Sequence, residues 1–183
     1  GRGVFSNEAG LGSAPIAHAA TSEKNPVKQG LYGIFEVFMD TIVICTMTSL
    51  VVLTSNIVPW GNADMAGADT TILAFGTVLG PKVSSIFIAI AILFFAFSTI
   101  LSWSLYGQRC FAYLTKGRGV IVYQIAFIAT VVIGATLKLS LVWNIADTMN
   151  GFMAVPNLIA LLALSGTVVK LTKEHFGGDG LSR

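Results

Sequence analysis

The residues with the greatest capacity for chemistry stand at the start of the chain, in Gly1 to Pro15, GRGVFSNEAGLGSAP. Gly3, Gly10 and Gly12 favour backbone conformations that a helix does not use, and Ser6, Asn7 and Ser13 carry side chains that compete with the helical ladder for hydrogen bonds. The run Ile16-Ala17-His18-Ala19-Ala20 follows directly and is helix-forming. With Ser13 a suitable N-cap and Pro15 tolerated in the first turn, a helix is expected from about Ala14. The chemistry such a break offers is binding rather than bond making, because carbonyls and N-terminal amides released from the ladder can hold small ions and zwitterions. Arg2 and Glu8 flank the break, where they could pair across it as a gate or simply neutralise each other.

Whether that chemistry is used depends on where the segment lies, and the rest of the chain points to a membrane. The sequence is 54% hydrophobic and 11% charged, whereas soluble domains carry about 25% charged residues. Val83 to Gly107 and Gly119 to Leu137 contain no ionised side chain, and each is about long enough to cross roughly 30 Å of hydrocarbon. Four crossings are expected, over 31–53, 83–107, 119–137 and 141–169, with 1–13 unwound and 14–22 an entering half-helix. Pro156 should bend or break the last of them. The 55–81 stretch reads as an outer loop whose part from Thr70 to Leu79 is apolar enough to form a short helix, either as an ordinary packed loop or as a lid. The fold class is therefore an all-α integral membrane protein. Irregular backbone at membrane depth cannot face lipid, so 1–13 must line a cavity or a partner. The bland alternative is a surface loop leading into the first crossing.

Charge gives an orientation. If the crossings alternate, Lys24, Lys28, Arg109, Lys116, Arg118, Lys170, Lys173 and Arg183 share one side, which is eight of the eleven basic residues. By the positive-inside bias that side is cytoplasmic, and with it the tail 170–183. The location expected is a plasma or bacterial inner membrane, crossed several times. Glu36, Asp40 and Asp147 lie inside expected crossings. Asp40 is the deepest and the best placed for a structural or coupling role, while Glu36 and Asp147 can be solvated near the two surfaces. His18, among alanines, reads as a hydrogen-bonded packing residue.

Several function classes are disfavoured. The net charge of +2 and scattered basic residues do not suggest nucleic acid. Cys45 and Cys110 lack metal-ligand spacing, and no transition-metal site or cofactor is expected. No nucleophile-base set supports an enzyme, and a channel would favour a repeated pore loop or charged ring. The opening Gly-Arg-Gly, without initiator Met or leader, reads as the interior of a longer protein.

Arg2 to Ala19 resembles the central motif of the alanine or glycine:cation symporter family. Matches continue in order through Pro26-Val27-Lys28-Gln29-Gly30 with Asp40-Thr41, Phe97 to Trp103, Trp143 to Asp147, and Pro156 to Leu162. The resemblance implies the second half of a leucine-transporter-type inverted-repeat fold, starting at its broken helix, with Phe5 to Gly12 the unwound part. It implies sodium-coupled symport of alanine or glycine by alternating access, together with a first repeat of the same protein. Another ion or solute on the same fold is the alternative. Substrate contacts would map onto Phe5, Ser6, Asn7, Thr99 and Trp103, with the rings of Phe5 and Trp103 limiting the substrate's size. Ser98 and Thr99 would give oxygen ligands to Na+, and Arg2, Glu8 and Asp40 would serve gating or coupling. Without the resemblance, the two hydroxyls would each be expected to bond a carbonyl one turn back.

Overall fold

The computed structural model describes residues 7–57 and 67–177. Every regular element among them is helical. In chain order these are α1 (Ala14–His18), α2 (Pro26–Val37), a π-helical segment (Phe38–Cys45), α3 (Thr46–Thr54), α4 (Ala68–Leu79), α5 (Pro81–Thr115), α6 (Val120–Thr136) and α7 (Leu139–Phe176). Among the described residues, three runs are long and apolar enough to cross a membrane: Pro26–Thr54, Pro81–Thr115 and Leu139–Phe176. At about 1.5 Å per residue, α5 and α7 each exceed 50 Å, well beyond a hydrocarbon core of roughly 30 Å. They therefore start earlier and end later than the expected crossings 83–107 and 141–169. α6, with 17 residues, and α4, with 12, are apolar but shorter than these three.

Local sequence explains the boundaries. α2 begins at Pro26 because Asn25 caps it, its Oδ1 accepting from the backbone N–H of Val27 at 2.9 Å and of Lys28 at 3.1 Å. A proline at the first position loses no ladder bond there. α6 begins after Gly117 and Gly119, both with positive φ. α7 runs unbroken through Pro156, so of the expected bend or break the break does not occur. The proline removes one donor, the one that would reach the carbonyl of Phe152, and the long ladders on either side hold the helix together.

The chain divides into two compact units, Gly1–Val37 with Ser104–Arg183, and Phe38–Trp103. In the second, α3 packs on α4, and the fully buried Ser84 of α5 donates its hydroxyl to the carbonyl of Ile72 in α4. Thr70, Ala74 and Ile88 are buried beside it, and the rings of Phe75 and Phe87 lie 6.0 Å apart. In the first unit, α1 packs on α2 and α2 on α7. There Gln108 of α5 donates to Ser104 at 2.8 Å and accepts from Gln124 of α6 at 3.0 Å. Gly107 leaves the room that the Tyr123 hydroxyl fills, since a Cβ would overlap it. Among the described residues the buried apolar side chains are Leu11, Ala74, Ile88 and Tyr106. Helices this apolar, with so few of their side chains covered, belong in lipid or against further helices rather than in water.

Candidate functional site

The site is built by the break in the first unit. Asn7 is helical, the chain leaves the helix at Glu8, and it becomes helical again at Ala14. The unwound stretch is thus 8–13 among the described residues, and Asn7 does not belong to it as expected. Glu8, Gly10 and Gly12 all have positive φ, 56°, 84° and 82°, a region that two of the three can adopt without strain because they lack a Cβ. The turn is held by the Asn7 Oδ1, which accepts from Ala9 N–H at 2.9 Å, and by Leu11 N–H donating to the Glu8 carbonyl at 3.2 Å.

Helix α1 then starts at Ala14 with Pro15 in its first turn. Ser13 occupies the N-cap position but does not act as a cap. Its backbone is already helical at φ −78°, ψ −48°, which turns the hydroxyl away from the amides it would accept from. Its Oγ is buried with no hydrogen-bond partner.

Two contacts fix the break to the helices around it. Gly12 lies against Asn157 of α7, so closely that a Cβ at Gly12 would come within 3.1 Å of Asn157 Oδ1. His18, at the end of α1, is clasped from α2: Gln29 Nε2 lies 2.6 Å from its Nδ1, and Glu36 Oε2 3.3 Å from its Nε2. With the Gln29 amide donating to Nδ1, the ring proton is carried on Nε2, where it faces the Glu36 carboxylate. Gly33 makes this approach possible, because a Cβ there would sit 3.3 Å from Nε2. The turn between α1 and α2 brings residues 18, 29 and 36 together, a triangle that no spacing in the sequence announces.

A cleft of about 410 Å³ opens along this wall, lined by the unwound residues, by one face of α2 and by Asn157 and Leu161. Asn7, Glu8, His18, Glu36 and Asn157 bring polar atoms to an otherwise apolar surface. That is the composition of a small-molecule site, in which few polar groups orient a mainly desolvated ligand.

The remaining sequence candidates lie elsewhere. Arg2, Phe5 and Ser6 fall outside the described residues, and with them the pairing of Arg2 with Glu8. Ser98, Thr99 and Trp103 stand on α5 in the second unit, Thr99 and Trp103 one turn apart on the same face. Ser98 and Thr99 both donate to the carbonyl of Phe95, at 3.0 and 2.8 Å. This is the bonding to a carbonyl one turn back expected without the resemblance, and each hydroxyl oxygen keeps lone pairs with which it can still accept. Asp40, half-buried, sits in the π-helical segment. That segment was not read from the sequence. The signal for it is Thr41-Ile42-Val43-Ile44, four β-branched residues in a row that crowd an ordinary helical turn. Asp147 and Glu36 are exposed.

Long apolar helices, two of them walling a cleft beside a non-helical stretch, place the chain among helical membrane proteins. Its family is specific: the chain belongs to the sodium:alanine symporter family, whose sequence profile matches residues 1–178. It is 50% identical over 173 residues to the sodium/alanine symporter AgcS of Methanococcus maripaludis, covering 94% of this chain and 38% of that protein. An uncharacterized transporter of Haemophilus influenzae is 49% identical over 175 residues, covering 96% of this chain and 38% of the relative. The probable sodium/glutamine symporter GlnT of Bacillus subtilis is 39% identical over 175 residues, 95% of this chain and 36% of its own length. The chain thus spans less than two fifths of the length of these relatives.

Proposed function

We propose that the whole protein to which this chain belongs couples the movement of Na+ to uptake of a small neutral amino acid, alanine or glycine, by alternating access. The observation that carries this reading is the non-helical 8–13 stretch on the wall of a ligand-sized cleft. Ala9 and Leu11 bond within the turn and the Ser13 carbonyl joins α1, and any peptide group of the stretch left unpaired at membrane depth needs a polar occupant. A zwitterion supplies one, its ammonium meeting carbonyls and its carboxylate meeting amides. Family membership and the name of the Methanococcus relative support sodium and alanine as the pair.

Within this reading the chain is the second half of a leucine-transporter-type inverted-repeat fold, its C-terminus on the cytoplasmic side. Phe5, Ser6 and Asn7 lead into the break and contact the substrate. On α5, Ser98 and Thr99 give hard oxygen ligands to Na+, which favours such donors, while Thr99 and Trp103 contact the substrate and the Trp103 ring limits its side chain. Arg2, Glu8 and Asp40 serve gating or coupling. A second reading, a larger neutral amino acid on the same scaffold, is favoured by the cleft volume of about 410 Å³, which has room for more than a methyl group.

The test is uptake of labelled alanine by the full-length protein in vesicles, with Na+ or with choline outside. Uptake is expected to need Na+, and undiminished accumulation in choline would reject the coupling. Competition by unlabelled glycine but not glutamine separates the first reading from the second. Trp103→Ala should admit larger amino acids without loss of membrane insertion, and unchanged selectivity would remove Trp103 from the substrate's surroundings.

A further inference from the structure

We propose that a second groove, between the first turns of α2 and the last turns of α7, holds an anionic glycerophospholipid. The groove has a volume of about 310 Å³, and its walls are Val27, Leu31 and Ile34 on one helix and Val168, Leu171 and Phe176 on the other. Thr172 also lines it. A Cβ at Gly30, also in the lining, would meet nothing within 4 Å, so the missing side chain deepens the slot. An acyl chain fits such a surface, because apart from the Thr172 hydroxyl the side chains that wall it are apolar and pack against methylenes by dispersion.

One end of the groove is tied and charged. Asn25 Nδ2 lies 3.4 Å from His175 Nδ1, joining the start of α2 to the end of α7. Around that tie stand Lys24, Lys28, Lys170 and Lys173, against Glu23 and Glu174. Lys170 is paired with Glu174 at 3.9 Å, and Glu23 accepts from the Asn25 backbone N–H at 2.8 Å. Lys24, Lys28 and Lys173 are exposed and have no ion pair among the described residues. Pro26–Thr54 and Leu139–Phe176 are both apolar enough to cross a bilayer, so these lysines mark the headgroup level and the groove runs from there toward the hydrocarbon.

The two halves of the site select the ligand together. A zwitterionic lipid would fill the slot but leave the lysines without a countercharge. Inorganic phosphate would answer the lysines and leave the slot unfilled. A phosphodiester carrying an acyl chain and a net negative charge satisfies both.

Native mass spectrometry of the full-length protein, released from mild detergent with either phosphatidylglycerol or phosphatidylcholine added, tests this without any measurement of uptake. Phosphatidylglycerol is expected to stay bound where phosphatidylcholine is lost, and millimolar inorganic phosphate should not displace it. Lys28→Gln with Lys173→Gln should lower its retention by roughly fivefold per lysine. Thr172→Trp should fill the groove and lower it further. Equal retention of the two lipids, or retention indifferent to the lysine pair, overturns the proposal. Retention indifferent to Thr172→Trp also overturns it, because another segment of the whole protein would then cover the groove.

Discussion

Two regions of the first unit carry residues that oppose a helix, and only one of them is broken. From Glu8 to Ser13 the chain unwinds, whereas around Pro156 it stays helical. The difference is in how many ladder bonds are opposed at once. Gly10 and Gly12 take up positive φ, as does Glu8, and Asn7 offers its side chain to a nearby amide instead. The opposition at Pro156 is a single missing donor inside 38 residues of helix. The two regions also touch, since Gly12 packs on Asn157, the neighbour of that proline. A broken stretch is thus held in shape by an intact one, and the pair can be taken apart by mutation.

The largest effect is expected from Gly12→Val. A β-branched residue at φ +82° against Asn157 should destabilise the break by about 3 kcal/mol. Uptake by the whole protein should fall to background at normal membrane insertion. Uptake near the parent's would mean that this backbone shape is not used. Next comes Gly12→Ala set beside Gly10→Ala. Both are strained by about 1 kcal/mol at positive φ, but a Cβ at Gly10 meets nothing within 4 Å. The first should therefore lower the melting temperature of the purified full-length protein more than the second. Adding Asn157→Ala should recover the excess, and no recovery would show that the contact does not support the break.

A smaller loss is expected from His18→Ala, which removes the Gln29 bond and frees α1 from α2. About 1 kcal/mol is reasonable for that bond, and the pair with Glu36 adds little because its carboxylate is largely in solvent. A drop of a few degrees in melting temperature would fit, and an unchanged one would make the triangle incidental. Pro156→Ala should do least, leaving uptake within about twofold, since α7 is helical already. A strong fall in uptake with a rise in stability would instead make the proline a hinge, and the contrast between the two regions would have to be redrawn.

Much of this was legible in the residues themselves. The start of α1 at Ala14 follows from Pro15 and the glycines before it, the helical character of the described residues follows from uncharged runs, and the short helix in the 55–81 stretch was visible as apolar residues from Thr70 to Leu79. Each of these depends on neighbours in sequence. What could not be read depends on distant residues. The clasp of His18 by Gln29 and Glu36 needs the turn at 19–25 to fold back, and Gly12 meets Asn157 across more than a hundred residues. Ser13 looked like a cap because its type suits one, but its backbone angles decide otherwise. Pro156 reads as a bend or a break from local preference alone, and the length of ladder that surrounds it decides against the break.

The first unit draws on Gly1–Val37 and then on Ser104–Arg183, with Asn25 and His175 bonded at a separation of 150 residues. A ribosome adds about 5–20 residues per second, so the early part of this unit emerges many seconds before its partner helix exists. During that wait the apolar side of α2 and the unwound peptide of 8–13 lack their native neighbours. Their protection in the cell must come from the insertion machinery, from lipid, or from parts of the protein already made. A slow synthesis of α7 lengthens that wait, and a truncated α7 never ends it.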